Sequence, residues 1–442
     1  MSLIEIAQIS IQILFIFFIF SCTTLLYDNH KIFKKNIFYA FDKIIINSII
    51  LINIFIFTSI LNINQKYILI IYIITFLLSF RSKLFKENLK HTYINTSFII
   101  CFIIIFLLSI DIAHELDLGW DVKSHYYLKT LLFFQSDKFE NLTKFPVPDY
   151  PHLGGYLWSF FWKFPFNEHE YMGRISYVCI YVLSIFSITR CINVNTFLKN
   201  IFSILIILST YKYNLFSGLQ DNLIFSFMLI IASFYYRFVN TTNIKLKQNY
   251  FYIIFGVINI LFWIKNESLI YAFVFFLILI CLHFSYFKNK KTIFLIFVSI
   301  ILFRIIIFYY YDFYFHEGYQ LKETTSLNII DYYNRFKLIN YYLFFNLVRN
   351  PIYFVTLFCM FSIVYKFRSD NNIKLIAIFL LFNIIFIYSA YMFRQVDIEF
   401  HLRNSIGRVL YQTSGLYILS VVIYINQLLS TPPKLDIKKK LK

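Results

Sequence analysis

The sequence predicts an all-α bundle of transmembrane helices, and three observations support this fold class. Hydrophobic residues make up 59% of the 442 residues, and charged residues only 14%. The mean hydropathy of +0.66 implies more apolar surface than a soluble domain of this length can bury. Apolar runs long enough to cross a bilayer recur along the whole chain, with basic residues gathered in short clusters between them.

Thirteen apolar runs are candidate spans. They cover residues 4–27, 37–61, 67–80, 94–112, 172–189, 200–216, 219–236, 250–264, 268–287, 292–311, 350–365, 375–393 and 409–429. Because four of them are short or interrupted, we expect about 11–13 spans. No repeat or Gly/Ser/Pro-rich linker divides the chain, so residues 1–442 are predicted to form one integral membrane domain. The first run lacks a basic leader and a small-residue cleavage site, as expected for an uncleaved span.

The basic clusters predict the orientation. With thirteen spans, most Lys and Arg residues between runs fall on one side, which is cytoplasmic by the positive-inside rule. The N-terminus is then outside and the C-terminus inside a multi-pass protein of the inner cell membrane. This placement explains the net charge of +18 without nucleic acid, so the expected surroundings are membrane lipids. Most of the acids and histidines fall on the opposite, extracytoplasmic face.

Three extracytoplasmic loops are longer than the others: 113–171, 312–349 and 394–408. The first concentrates carboxylates, histidines, prolines and tryptophans, so we expect the catalytic residues there. Its residues 121–135 are compatible with a helix, and a second helix should follow Pro151. Residues 327–347 mix apolar and polar side chains, and we expect them to lie along the membrane surface.

In the first loop, Asp121, His125 and Lys129 are spaced four residues apart and share one face of a helix. A carboxylate one turn from an imidazole suits deprotonation of a hydroxyl or amine, so Asp121 and His125 are the candidate catalytic residues. Lys129 is a candidate for substrate binding. The alternative is a solvated helix face with an incidental row of charges. His152, in a Tyr-Pro-His turn, either binds substrate or caps the following helix.

Two further polar groups stand at predicted extracytoplasmic boundaries. Lys265 and Glu267 separate two apolar runs, where polar residues facing lipid would be costly, so we expect them to face a cavity shared with Asp121. The alternative is a short loop in water. Asp221 opens the seventh run, where the helix dipole alone also favours a carboxylate.

Cations on the extracytoplasmic side run against the topology rule, and one group lies late in the chain. It comprises Arg394, His401, Arg403 and Arg408. Arginine guanidinium groups suit phosphate, so Arg403 and Arg408 are candidate substrate-binding residues. Arg304, inside a predicted span, needs either a partner, for which an internal structural ion pair is one candidate, or a water-filled cavity. The six cysteines include no Cys-x-x-Cys pair, and no Gly-rich nucleotide loop is present. We therefore expect no cofactor or metal ligand set, although a divalent metal is left open.

The order of these elements resembles the GT-C superfamily of polytopic glycosyltransferases, especially the branch of protein O-mannosyltransferases and lipid A aminoarabinose transferases. The resemblance covers roughly residues 90–290. The matching elements are Trp120-Asp121 with Ser124-His125, Tyr150-Pro151-His152-Leu153-Gly154, Glu170-Tyr171-x-Gly173-Arg174, Gly218-x-x-Asp221 and Trp263-x-Lys265-Asn266-Glu267. Two departures are that Asp121 has no adjacent acid and that Ser268, rather than glycine, follows Glu267.

The resemblance implies an inverting glycosyltransferase that uses a polyprenyl-phosphate-linked sugar as donor. A glycan, lipid or protein acceptor would attack the anomeric carbon while Asp121 takes its proton, and cations would stabilise the leaving phosphate. One alternative is a transporter or flippase of lipid-linked sugars, which should show repeats and broken helices at mid-membrane. Another is a polysaccharide polymerase or ligase, which the loops 312–349 and 394–408 keep open.

Overall fold

The computed structural model describes residues 2–22, 40–81, 86, 90, 93–114, 116, 118–136, 138–145, 147–212, 215–283, 290–313, 328–366, 371–393 and 398–430. Within these ranges the chain is helical and contains no strand. The sixteen α-helices, numbered in chain order, are α1 Leu3–Ile19, α2 Ala40–Ile60, α3 Gln65–Ser79, α4 Thr96–His114, α5 Tyr127–Phe134, α6 Leu153–Lys163, α7 Tyr171–Thr189, α8 Thr196–Thr210, α9 Asp221–Asn240, α10 Ile244–Phe262, α11 Asn266–His283, α12 Lys290–Tyr310, α13 Ile329–Arg349, α14 Pro351–Lys366, α15 Asn371–Met392 and α16 Ile398–Ser430.

The predicted fold class, an all-α polytopic membrane bundle, is confirmed, and each of the thirteen apolar runs overlaps a helix within the described residues. Among the described residues, eight helices are long and apolar enough to cross a membrane: α2, α4, α7, α9, α11, α12, α15 and α16. A ninth span results if α13 and α14, which meet at 85°, are counted together. The predicted count of 11–13 also included α10, which is not among these spans, and the shorter apolar helices α1, α3 and α8, of 17, 15 and 15 residues.

Helices α7 and α9 form the centre of the bundle. Every residue of α7 is buried, and α9 packs against α7, α10 and α16. Gly415 permits the close approach of α16, because a Cβ at this position would lie 2.2 Å from the carbonyl oxygen of Phe225 in α9. This packing holds the beginning of α9 beside the first half of α16, where the candidate site lies.

The contacts of α9 distinguish the two ends of the bundle. At one end, the site end, α9 begins with Asp221, which Arg408 connects to Asp121 in the loop that follows α4. At the opposite end, α9 finishes near the beginning of α2, where Arg237 meets Asp42. Asn426 near the end of α16 donates to the carbonyl oxygen of Cys191 there. Which end faces the cytoplasm stays a prediction.

Three loop predictions can be compared with the structure. The helix expected over 121–135 is a π-turn, Val122–Tyr126, followed by α5, and the second helix begins at Leu153, shortly after Pro151. The expected surface segment 327–347 is helix α13, lying at 85° to α14. The prediction of a third loop over 394–408 is wrong from Ile398 onward, because α16 begins there. Charged residues in the first turns of α16 interrupt its apolar pattern, so the predicted run began only at residue 409.

Candidate functional site

A cavity of about 740 Å³ opens at the site end of the bundle. It lies where the first loop meets the starts of α9 and α11 and the first half of α16. Its lining comprises Gly119, Trp120, Asp121, His125, Tyr126, Tyr150, Leu219, Lys265, Glu267, Phe400, His401, Asn404, Ser405, Arg408, Val409 and Gln412. Asp121 and Glu267 therefore line one cavity, as predicted.

The first loop contributes Asp121 and His125 through the π-turn that follows Asp121. A π-turn adds about one residue per turn, which moves later side chains off the predicted common face. The His125 ring stacks on Tyr150 at 5.7 Å and meets Trp120 edge-on at 5.9 Å. Burial lowers the pKa of His125 and outweighs the carboxylate of Asp121, so the imidazole is neutral at pH 7. A neutral imidazole can accept a hydrogen bond or a proton.

Arg408 connects the first loop to the helix bundle. Its Nη1 forms an ion pair with Asp121, and its Nε donates to Asp221 Oδ2 at 2.7 Å. One guanidinium therefore holds two carboxylates from segments 100 residues apart in the chain. The side chains of Asp121 and Arg408 are 39% and 29% exposed, so a ligand in the cavity can reach this pair.

Asp221 is the buried centre of the network. It accepts hydrogen bonds from Lys265 Nζ at 3.1 Å, from Arg408 and from Gln412. Lys265 also lies 3.4 Å from Glu267. Burial opposes the charge on Lys265, but Asp221 and Glu267 outweigh it and raise its pKa well above the ordinary value. The three carboxylates of Asp121, Asp221 and Glu267 exceed the two cations by one charge.

The segment before Asp221 is fixed by a second ion pair. Arg174 binds Glu170 at 2.6 Å and donates to the carbonyl oxygen of Phe216 at 3.1 Å. Gly218 follows with φ of +98°, a conformation that side-chain-bearing residues rarely adopt. A Cβ there would also lie 2.7 Å from Trp158 and Val122. These contacts give the Gly218-x-x-Asp221 and Glu170–Arg174 elements a positioning role.

Four predicted site residues do not line the cavity: Asp221, which is buried beneath Lys265 and Arg408, and Lys129, His152 and Arg403. Lys129 is 1% exposed, and its Nζ donates to the carbonyl oxygens of Val147, at 2.8 Å, and Tyr150. Burial lowers its pKa to about 7, against the opposing effect of Asp149. Its position supports Tyr150 rather than direct contact with substrate.

His152 is also buried, and one ring nitrogen lies 2.7 Å from Ser59 Oγ. Burial lowers its pKa to about 3. Its side chain packs against Phe139 and Trp263, and its backbone stands at the start of α6. His152 is the N-cap residue of α6, but its side chain bonds to Ser59 and makes no capping hydrogen bond. Arg403 is exposed on α16 outside the cavity lining, and Arg394 lies outside the described residues.

Arg304 has the partners that its buried position requires, but among the described residues they are not the carboxylate of an ion pair. Arg304 donates to the carbonyl oxygen of Phe262 and, at 2.7 Å, to Asn266 Oδ1, and its guanidinium lies 4.9 Å from the ring centre of Phe308. A buried guanidinium can be satisfied by carbonyl oxygens and an aromatic face as well as by a carboxylate. Because Phe262 and Asn266 flank Lys265, Arg304 supports the turn that carries it.

Sequence reasoning missed the contribution of α16 beyond its arginines. His401, Ser405, Arg408 and Gln412 follow one another at intervals of four, three and four residues, which places them on one helical face. Gln412 donates to Asp221 and holds it from the side opposite the loop. This spacing was available in the sequence, but the predicted loop 394–408 concealed it.

Comparison of the chain with models of known protein families, with curated proteins and with solved structures finds no match. In the part of the chain that the structure describes, no three His, Cys, Asp or Glu side chains are grouped in a way that could hold a metal ion. The arrangement can therefore be interpreted only from its own chemistry: a cation pair, a shared buried carboxylate and a more exposed carboxylate beside a neutral imidazole.

Proposed function

We propose that the protein is an inverting glycosyltransferase that moves a sugar from a polyprenyl-phosphate donor to an extracytoplasmic glycan, lipid or protein acceptor. The observation that supports this most directly is the network Asp121–Arg408–Asp221–Lys265 in a cavity at one end of a membrane bundle. The bundle gives a lipid-linked donor access from the bilayer, and 740 Å³ accommodates a sugar and its phosphate.

In this proposal, Arg408 binds the donor phosphate. A phosphate is a stronger partner for a guanidinium than a single exposed carboxylate, because it offers more oxygens and more charge. Donor binding would replace Asp121 on Arg408 while Asp221 keeps hold of the guanidinium from behind. Lys265 would then stabilise the charge that develops on the leaving phosphate.

The replacement of Asp121 by phosphate on Arg408 would also free Asp121 to act as the catalytic base. While Asp121 is paired with Arg408, its carboxylate is a poor proton acceptor. Once the phosphate has taken its place, Asp121 is free to accept the proton of the acceptor hydroxyl or amine as that group attacks the anomeric carbon. His125, one turn away and neutral at pH 7, would orient Asp121 or the acceptor. The carbon–oxygen bond to phosphate breaks as the new glycosidic bond forms, and the polyprenyl phosphate leaves.

The test measures the loss of labelled sugar from a panel of polyprenyl-phosphate sugars in vesicles containing the full chain. Asp121→Asn keeps the size of the side chain and removes its basicity, so transfer should fall at least ~100-fold. Asp331→Asn, on α13 outside the cavity lining, is the matched control and should retain activity. Full activity of Asp121→Asn would contradict the assignment of the base, and movement of intact donor across the bilayer without transfer would instead identify a transporter.

A further inference from the structure

Exposed aromatic side chains line the site cavity at two places, and the catalytic steps make no use of them. Trp120, in the first loop beside Asp121, is 76% exposed, and Phe400, in the first turn of α16, is 61% exposed. The other three tryptophans of the chain are buried: Trp158, Trp162 and Trp263. An indole left in water forgoes the free energy that burying its large apolar surface would release. Its exposure next to the candidate base therefore points to a ligand that covers it.

The indole of Trp120 is supported but not covered. It meets the ring of His125 nearly at right angles, with the ring centres 5.9 Å apart, and His125 in turn stacks on Tyr150. The preceding residue, Gly119, adds no bulk, because a Cβ there would meet no atom within 4 Å. Most of the aromatic surface of Trp120 is therefore available to a ligand that enters the cavity.

Two polar side chains of α16 in the cavity lining use their hydrogens within their own helix. Asn404 Nδ2 donates to the carbonyl oxygen of Phe400 at 3.0 Å, and Ser405 Oγ donates to that of His401 at 2.6 Å. A serine hydroxyl has one hydrogen, and an amide oxygen is only an acceptor. This part of the wall therefore offers a ligand mainly oxygen lone pairs.

A buried amide deeper in the same lining has the same character. Gln412 is 0% exposed, and its Nε2 donates to Asp221, whereas its Oε1 accepts no hydrogen bond from any described residue. A buried acceptor left in this state is costly. The carboxylates of Asp121 and Glu267 add further acceptors to the lining. A ligand that fits this wall must therefore supply several O–H or N–H donors.

We propose that Trp120 stacks on a sugar ring of the acceptor, which makes the acceptor a glycan; this inference rests on the proposed transferase function. The C–H bonds of a sugar ring carry partial positive charge and pack on the negative face of an indole, while its hydroxyls supply donors. A ring stacked on Trp120 would present a hydroxyl to the adjacent Asp121. Tryptophan at a membrane interface is common, but that role explains neither its place in this lining nor the unsatisfied oxygen of Gln412.

The test is binding of the purified full chain, in detergent, to an array of immobilised oligosaccharides and peptides. Oligosaccharides should bind at least ~10-fold more tightly than peptides. Trp120→Leu keeps an apolar side chain but removes the aromatic face, so it should weaken oligosaccharide binding about 10-fold, whereas Trp120→Phe keeps a smaller face and should weaken it only about 3-fold. Asn404→Ala removes an acceptor and should weaken it about 3-fold.

The matched control is Phe344→Leu on α13, a 71% exposed aromatic outside the cavity lining, which should have no effect. Melting temperatures show whether each variant is folded, and Asn404→Ala tests the same surface with Trp120 in place. The proposal is overturned if no oligosaccharide binds, if peptides bind as tightly, or if Trp120→Leu weakens binding no more than Phe344→Leu does. Oligosaccharide binding that depends on Trp120, without any transfer in the vesicle assay, would support the sugar-binding surface and contradict the transferase function.

Discussion

The two ends of the bundle both contain a buried carboxylate paired with an arginine, yet they differ in what surrounds the pair. At the site end, Asp221 is shared between Arg408 and Lys265, and the network opens into a 740 Å³ cavity. At the opposite end, Asp42 and Arg237 form a 2.7 Å pair that is 1% and 9% exposed, and Ser187 donates to the same carboxylate. The second pair is closed, whereas the first is open to a ligand.

One helix contributes to both pairs. Helix α9 begins with Asp221 and has Arg237 in its last turn, an arrangement that the helix dipole favours at each terminus. The difference therefore arises from the neighbours. A single arginine and carboxylate that satisfy each other act as a clamp between helices. Two cations sharing three carboxylates leave one negative charge in excess, and the most exposed carboxylate, Asp121, is the one that changes its partner in the proposed reaction.

The largest expected difference between the ends is all-or-none labelling by an impermeant thiol reagent in intact cells. In a Cys281→Ser background, a cysteine introduced by Ser136→Cys should be labelled, because the loop 113–171 is predicted to be extracytoplasmic. A cysteine introduced by Asn240→Cys, exposed at the far end of α9, should be labelled only after permeabilisation. The reverse pattern would invert the predicted topology while leaving the fold unchanged.

The second prediction compares neutralisation of the two buried carboxylates. Removing one partner of a buried ion pair leaves an uncompensated charge, so Asp221→Asn and Asp42→Asn should each lower the free energy of unfolding by about 3–5 kcal/mol. Transfer per folded molecule should fall at least ~100-fold only in Asp221→Asn, since Lys265 and Arg408 lose their shared anchor. Denaturation in detergent and the vesicle assay measure the two quantities. Equal activity losses would show that the ends do not differ in function.

The third prediction concerns the bridging guanidinium. Arg408→Lys keeps the charge but cannot hold Asp121 and Asp221 at once in the same geometry, so transfer should fall about 10–100-fold. Arg403→Lys, five residues earlier on the exposed part of α16, is the matched control and should stay within about 2-fold, since exposed charges contribute little. Similar rates for the two variants would remove Arg408 from the proposed phosphate site.

Much of the fold could be predicted because hydrophobic runs and basic clusters act through the membrane, one segment at a time. That is why each of the thirteen runs overlaps a described helix and why Asp121, Asp221, Lys265 and Glu267 were assigned to one face. Which side chains pair with one another depends on how the helices pack, and no local pattern in the sequence encodes that packing. The burial of Lys129, the carbonyl and amide oxygens that bind Arg304, and the three donors around Asp221 therefore became visible only in the structure.

The smallest expected effect is a pH dependence that arises at Lys129. Burial lowers the pKa of Lys129 in the folded protein to about 7, whereas in the unfolded chain it has the ordinary value near ~10.4. Between these values the unfolded chain binds more protons, so the contribution of Lys129 to stability rises with pH from about 7 to 10 and is constant below about 7. The melting temperature of the wild type should therefore rise, relative to that of Lys129→Gln, across this window.

Glutamine is the control side chain, because it can still donate to a carbonyl oxygen of the Val147–Tyr150 segment but does not titrate. The comparison therefore separates the effect of the proton from that of the hydrogen bond. Lys163, at the end of α6 with a pKa lowered by burial to about 8, titrates in the same range, so Lys163→Gln is measured in parallel. If the wild type and Lys129→Gln show parallel melting curves from pH 7 to 10, Lys129 is charged in the folded protein and the segment bearing Tyr150 is held by a permanent cation.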